Sequence, residues 1–315
     1  MDLSLANIEV AASIIDPLFL RSPQYEDESL NAVLGKRVLL KVETANPLRS
    51  FKGRGSDYRM SQLRPGTEAV CASAGNFGQA LAFAGRKRGV RVTVFVPAAV
   101  NPVKLARIEA FGAEVRVGGE DFDAAKRLAV RHAAADTARV FVEDGADAAI
   151  SEGAGTISIE LLKDGAFDAV LVPVGDGALI SGMALWLRAH APHVRVIGVC
   201  ASGAAAMADS FQARRPVTVR HVDTIADGLA VGEPVPLAVE RLIALVDEML
   251  AVDDAAMLAA MRLAARTLGL VLEPSGAAGL AALATHRIDG TRIATVLTGS
   301  NVHPKLLKTL SMAPP

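Results

Sequence analysis

The chain has 315 residues, 51% of them hydrophobic and 4% aromatic, with 33 Lys and Arg against 34 Asp and Glu, a net charge of −1. So apolar and evenly charged a chain is not disordered, offers no electrostatic footprint for nucleic acid or an anionic membrane, and is long enough for two domains sharing a cleft. Charged residues interrupt the apolar stretches before the ~20 residues a membrane span needs, and Asp2, Glu9 and Asp16 stand where a targeting peptide would be basic. In chain order, β-branched runs predict strands at 38–42, 70–73, 91–96, 114–117, 140–142, 169–173, 195–199 and 293–297. Ala- and Leu-rich segments between them predict helices at 78–88, 102–111, 121–134, 156–162 and 179–189. This alternation is the pattern of a parallel sheet covered by helices.

Glycines 75, 78, 153, 155, 175, 177, 276 and 299 punctuate the expected strand-to-helix junctions. Open α/β sheets bind ligands beyond the carboxyl ends of their strands, so these junctions are where chemistry is expected. Cys71 and Cys200 lie far apart in apolar runs, which argues against a disulfide framework and a CxxC metal site and fits a soluble, cytoplasmic protein acting on small molecules.

Five segments carry the candidate chemistry. Asn46 to Gly55 contains Lys52 between Phe51 and Gly53, either a reactive amine or part of a basic surface loop with Arg49 and Arg54. Ser73-Ala74-Gly75-Asn76 ends a strand and opens a helix; its small residues admit a flat ligand, and Asn76 offers a donor and an acceptor or simply caps the helix. Gly175-Asp176-Gly177-Ala178-Leu179 follows the strand at 169–173, and free N–H groups at such a helix start hold a phosphate. It lacks the third glycine spacing of a dinucleotide fingerprint and the Lys of a P-loop, so a nucleotide-binding or non-catalytic module is the weaker reading. Glu273 to Gly279 and Leu297 to Asn301 complete the set, the latter placing Thr298 just past the last strand. The histidines and carboxylates do not gather into a metal cage.

In identity, order and spacing these segments together resemble the fold type II pyridoxal-phosphate enzymes, closest to the serine/threonine dehydratases (threonine ammonia-lyases). The resemblance runs from about Pro17 to Asn301, and Thr224 to Gly228 and Glu152 to Thr156 also match dehydratase stretches. It implies an α/β fold like the tryptophan synthase β chain: two open, mostly parallel sheets with pyridoxal 5'-phosphate in the interdomain cleft. A large domain of residues 1–67 and 146–315 would carry a small inserted domain at 68–145. The resemblance makes Lys52 the Schiff-base lysine and general base, with Phe51 beside it. It sets Asn76 on the ring oxygen, Gly175, Asp176, Gly177, Ala178 and Leu179 around the phosphate, and Thr298 at the pyridine nitrogen. Ser73, Ala74, Gly75 and Arg49 are the expected substrate contacts.

A neutral hydroxyl at the pyridine nitrogen makes a muted electron sink, which favours prompt loss of a β-substituent. The expected reaction is α,β-elimination from a small β-hydroxy amino acid such as serine, threonine or a hydroxyaspartate, giving a 2-oxo acid and ammonia. β- or γ-replacement, as in threonine synthase- or cysteine synthase-like members, is the alternative, and Ser50 to Gly55 is similar to the threonine synthase pattern. A homodimer without nucleic-acid or membrane partners is implied. With only a short tail after Asn301, no C-terminal regulatory domain and no feedback inhibition by isoleucine are expected.

Departures from the family pattern refine this. Ala74 stands where racemising dehydratases have a second Ser, so efficient racemisation is not expected. Ala201 to Met207 lacks the acidic cluster that binds a divalent cation in serine racemase-like members, so no metal is expected. Phe77 replaces a common His, and Glu143-Asp144-Gly145 is a further departure able to redirect specificity. Asp176 replaces a glycine; a full charge ~6 Å from a phosphate charge would cost about 3 kcal/mol at an effective dielectric of ~20, so its side chain is expected to point away, capping a helix. Arg49 replaces Gly in the pattern before the lysine and either receives a second anionic group of the substrate or faces outward.

Overall fold

The computed structural model describes residues 1–98 and 102–311. The chain opens with helix α1 (Leu5–Ile14), strand β1 (Gln24–Glu26), helix α2 (Glu28–Leu34), strand β2 (Arg37–Val42) and helix α3 (Gly53–Ser61). A run of parallel units follows: β3 (Glu68–Ala72), α4 (Asn76–Arg88), β4 (Arg91–Val96), α5 (Pro102–Ala110), β5 (Glu114–Val117), α6 (Phe122–Ala134) and β6 (Arg139–Phe141). The rest comprises α7 (Ala148–Leu161), β7 (Ala169–Pro173), α8 (Ala178–His190), β8 (Arg195–Ala201), α9 (Ala206–Ala213) and α10 (Pro236–Leu245). It closes with β9 (Glu248–Val252), α11 (Asp254–Leu268), α12 (Pro274–Thr285), β10 (Arg292–Leu297) and α13 (Pro304–Ser311).

Two sheets result. Six strands in the order β1-β2-β10-β7-β8-β9 form the larger, parallel throughout except for β1 against β2. Four strands in the order β5-β4-β3-β6 form the smaller, all parallel and all drawn from residues 68–141.

The period of two in each central strand sends neighbouring side chains to opposite faces. Leu40, Leu171, Ile197 and Ile293 pack with Met261, Ala278 and Leu280 of α11 and α12 on one face of the larger sheet. Leu39, Val170, Val196 and Ala294 pack with Ile157, Ile180, Met183 and Leu242 of α7, α8 and α10 on the other. Burial on both faces is why β7 reads as an unbroken apolar run and β10 as one interrupted only by Thr295, whose hydroxyl donates to Leu171 O. In the smaller sheet, Ala69, Cys71, Val92 and Val94 pack against Leu81 of α4 and Ile108 of α5, while Val70 and Phe95 meet Ala129 and Ala133 of α6.

All eight expected strands form, with 70–73 shifted to Glu68–Ala72 and 140–142 to Arg139–Phe141. The helix expected at 156–162 is instead the 14-residue α7 beginning at Ala148. Gly153 and Gly155, expected to mark a junction, lie inside it because neighbouring helices come close there. A Cβ on Gly153 would meet the backbone of Gly55 in α3, and one on Gly155 would meet the carbonyl of Gly182 in α8. Gly78 and Gly276 are likewise helical, facing the carbonyls of Ser73 and Gly299.

Candidate active site

Strands β3, β6, β7 and β10 all end on a cavity of about 800 Å³ between the two sheets. Every candidate residue from the five segments lines it: Arg49, Phe51, Lys52, Ser73, Ala74, Gly75, Asn76, Gly175, Asp176, Gly177, Ala178, Leu179 and Thr298. Residues separated by up to about 250 positions in sequence thus meet because parallel strands present their carboxyl ends on one side.

Lys52 is placed by its neighbours on both sides. Ser50 bridges to Gly299, and Phe51 N donates to Thr298 O at 3.0 Å, which ties the loop to the end of β10. Two residues on, the fully buried Arg54 donates to both carboxylate oxygens of Glu43 and of Glu160 at 2.8–2.9 Å and to Thr156. Lys41 joins this group through Glu160 at 2.6 Å. Burial opposes the charge on Arg54, but Glu43 and Glu160 more than offset it and hold its pKa above the ordinary value. This paired cluster anchors the first turn of α3, and Lys52 stands immediately before that helix.

The Lys52 ammonium donates to Asp144 Oδ2 in the loop after β6. Its Nζ also lies 4.7 Å from the ring centre of Phe51 and 5.7 Å from that of Phe77, so apolar faces flank the amine. Asp144 Oδ1 is buried without a hydrogen-bond partner.

Asn76 begins α4, and Gly75 rather than Asn76 is the cap. Its side chain crosses the cleft: Nδ2 donates to Glu273 Oε1 at 2.7 Å, and Oδ1 accepts from Asn301 Nδ2 at 2.7 Å. Gly75 N donates to Ser73 Oγ at 3.2 Å, shaping the loop around Ala74. Thr298 is buried, its hydroxyl 3.4 Å from Ser275 O.

The loop from Gly175 to Gly177 turns β7 into α8. Gly177 has a φ of +85°, open to glycine at little cost, and caps α8 without a side-chain hydrogen bond. The first N–H groups of α8 therefore have no side-chain acceptor there and border the cavity. At Gly175 a side chain would strike the carbonyl of Gly228.

Asp176 corrects an expectation. It caps no helix and lines the cavity, near Asp144 and Lys52 and near the Lys126–Glu143 ion pair. The expectation assumed a full charge. Burial, reinforced by Asp144, instead raises its pKa from 3.8 to about 7, against the pull of Lys52 and Lys126. A carboxyl that is largely neutral below that pH escapes most of the assumed repulsion.

Several residues of the cavity had no site role assigned from the sequence. Asp144 had a readable signal, since it follows a predicted strand at its carboxyl end. Glu273 and Asn301 lay in candidate segments without a role of their own, and Arg107 had no signal: it reaches the cavity only through the packing of α5.

An amine in the cleft, an uncapped helix start and a buried hydroxyl at the end of a central strand suit a site for an anionic, ring-shaped cofactor. The chain matches the pyridoxal-phosphate dependent enzymes over residues 15–299 and belongs to that family. It is 31% identical to the L-threonine dehydratase biosynthetic IlvA of Lactococcus lactis over 312 residues, covering 95% of this chain and 75% of that protein. To the Salmonella typhimurium protein of the same name it is 35% identical over 305 residues, 90% of this chain, and it spans 58% of that relative's length. The fold superposes on maize serine racemase with a TM-score of 0.92 at 27% identity, covering 98% of this chain and 97% of that one. Within the family, the chain falls in the fold type II, threonine ammonia-lyase branch, and it is a pyridoxal-phosphate-dependent lyase.

The residues fit this cofactor. Side chains at Gly175 and Gly177 would meet Gly228 on one side and Leu242 and Met207 on the other, so bare backbone is what a phosphate would find at the start of α8. The cavity is of the size that small-molecule and cofactor sites occupy.

Proposed function

We propose that this chain eliminates water from a small β-hydroxy amino acid, the resulting enamine then taking up water as it hydrolyses to a 2-oxo acid and ammonia. Lys52 would hold the cofactor, the segment from Gly175 to Leu179 its phosphate, and Asn76, Phe51 and Thr298 its ring, with Ser73, Ala74, Gly75 and Arg49 toward the substrate. The observation that carries this reading is Lys52 Nζ in the cleft, hydrogen-bonded to Asp144 and flanked by Phe51 and Phe77.

When bound, the cofactor supplies an electron sink for the carbon that loses its proton. The chain's own residues supply the rest. Lys52 Nζ takes the α-proton as general base. Asp144 Oδ2 accepts a hydrogen bond from the resulting ammonium and fixes where that proton is held. Thr298 offers a neutral hydroxyl rather than a carboxylate, which supports elimination over reactions that need a longer-lived carbanion.

The reading extends to residues 68–145 as an inserted small domain on a large domain of 1–67 and 146–315. It also extends to a homodimer in the cytoplasm; two free, buried cysteines are in keeping with a reducing compartment. Sedimentation of the holoenzyme tests the dimer.

The deciding experiment loads the purified protein with pyridoxal 5'-phosphate and follows serine and threonine. A visible absorbance band that is absent in Lys52→Ala, with 2-oxo acid and ammonia formed in equal amounts and no added nucleophile, is the expected result. Consumption of substrate only when a thiol or another nucleophile is supplied would overturn the elimination reading in favour of replacement.

A further inference from the structure

Two guanidinium groups reach the cavity from different elements: Arg49 from the loop before α3 and Arg107 from α5. Both are fastened to one short stretch after β10. Ser300 N donates to Arg49 O at 2.9 Å, and Arg107 Nη1 donates to Asn301 Oδ1. Arg49 is one of three non-glycine residues with left-handed backbone among the described residues, at a φ of +53°. Such a conformation persists only where the surroundings hold it, here through Arg49 N to Asn46 O at 2.9 Å and the bond from Ser300.

Among the described residues neither guanidinium is ion-paired with a carboxylate, and Glu273 is the acidic group whose charge reaches Arg107. Among the described residues the Arg49 guanidinium makes no hydrogen bond or ion pair. Arg107 donates one N–H to Asn301 and lays its guanidinium 5.7 Å from the ring centre of Phe111, with no other side-chain hydrogen bond among the described residues. Burial lowers the pKa of Arg107, and the charge of Arg49 lowers it further, with Glu273 opposing. Like charges brought together with idle donors facing a cavity are complementary to a carboxylate, which guanidinium groups bind in planar, two-point fashion.

The arrangement also has direction. Arg107, Asn301 and Asn76 form one hydrogen-bonded chain, so the arginines stand at the Asn76 end of the cavity. Glu143, Asp144 and Asp176 gather instead around Lys52 and Lys126, and Glu273 is the carboxylate bonded to Asn76. In the lyase reading, the loop at Ser73 to Gly75 receives the α-carboxylate, which leaves the arginines for a second acidic group.

We propose that Arg49 and Arg107 form a subsite for a side-chain carboxylate, making dicarboxylic β-hydroxy amino acids substrates of this site. The proposal rests on the lyase reading and adds a substrate class to it. The test uses holoenzyme with L-serine and with 3-hydroxyaspartate, comparing wild type, Arg49→Gln, Arg107→Gln and Arg107→Lys, with the cofactor absorbance recorded for each. In each Gln variant, KM for 3-hydroxyaspartate should rise at least tenfold more than KM for serine, the loss expected for one charged hydrogen bond. Arg107→Lys should recover part of it. Calorimetry with succinate, a dicarboxylate with nothing to eliminate, should show binding to wild type and its loss in Arg49→Gln.

Equal increases of KM for both substrates would overturn the subsite, because the arginines would then serve the α-carboxylate or the loop. Turnover of serine without any of 3-hydroxyaspartate would overturn it too, while leaving the lyase reading standing. Loaded cofactor with neither substrate consumed and no succinate bound would overturn both. Succinate bound in the same circumstance, and lost in Arg49→Gln, would overturn the lyase reading and keep the anion subsite.

Discussion

Asp176 is a carboxyl in the loop that opens α8, and its titration should be visible in the stability of the cofactor-free protein. Burial and Asp144 raise its pKa to about 7 from 3.8. The folded protein therefore binds more protons than the unfolded chain between those values, and the stability this group contributes is complete below about pH 4. It is lost as pH rises and levels off above about pH 7. A gap of about 3 pH units at ~1.4 kcal/mol each sets a ceiling of about 4 kcal/mol. Asp176→Asn removes the titration and keeps a neutral group of the same size. Urea unfolding of apo wild type and apo Asp176→Asn, from pH 4 to pH 8.5, can be followed by the fluorescence of Trp186, the one tryptophan. The two should be similar near pH 4, with the variant gaining steadily to pH 7 and holding a constant advantage above it. Subtraction isolates Asp176 from the other groups that titrate in this range, and Asp144, Glu143, Lys52 and Lys126 are the charges that set its value. Parallel stability curves for the two proteins across the range would refute the reasoning. A bound phosphate adds a negative charge nearby, so apoprotein affinity for pyridoxal 5'-phosphate should also depend less on pH in Asp176→Asn than in wild type.

Three further outcomes follow from particular contacts. Arg54→Met leaves Glu43 and Glu160 buried with fewer partners, and should lower stability by about 3–5 kcal/mol in urea unfolding; a loss under about 1 kcal/mol would show that the cluster relaxes freely. A Cβ at Gly182 would collide with the carbonyl of Ser151, so Gly182→Ala should destabilise by about 4 kcal/mol or more or prevent soluble expression, whereas Gly269→Ala, where nothing is within 4 Å, should cost only the strain of its left-handed backbone. Wild-type enzyme incubated with L-serine should yield no measurable D-serine on chiral chromatography, while Ala74→Ser, which adds a hydroxyl to the cavity wall, should yield some. D-serine from wild type would remove the significance of Ala74.

Much of the fold was readable locally. Strands such as β7 and β8 are apolar runs because both faces are covered, and such a run needs no knowledge of its partner to be seen. Strands β1 and β9 escaped, being short and partly exposed at the edges of the larger sheet, where little apolar pattern is required. Helix α7 was cut short because its glycines read as punctuation, although each is there for a neighbouring backbone that the sequence does not display.

The amino-acid sequence by itself determined the α/β class, the order of the motifs and the type of chemistry, since a lysine, small-residue loops and strand ends are properties of short segments. Tertiary structure alone decided which charges meet. The pairs Lys52 with Asp144, Asn76 with Glu273 and Arg107 with Asn301 are separated by 92, 197 and 194 residues. They form because two sheets direct the carboxyl ends of their strands into one cleft, and no local periodicity encodes that closure. The same closure gathered, from a chain of almost no net charge, Asp144 and Asp176 around Lys52, and Arg49 and Arg107 around the stretch after β10. That gathering depends on where burial and parallel crossovers set each side chain, which overall composition does not record.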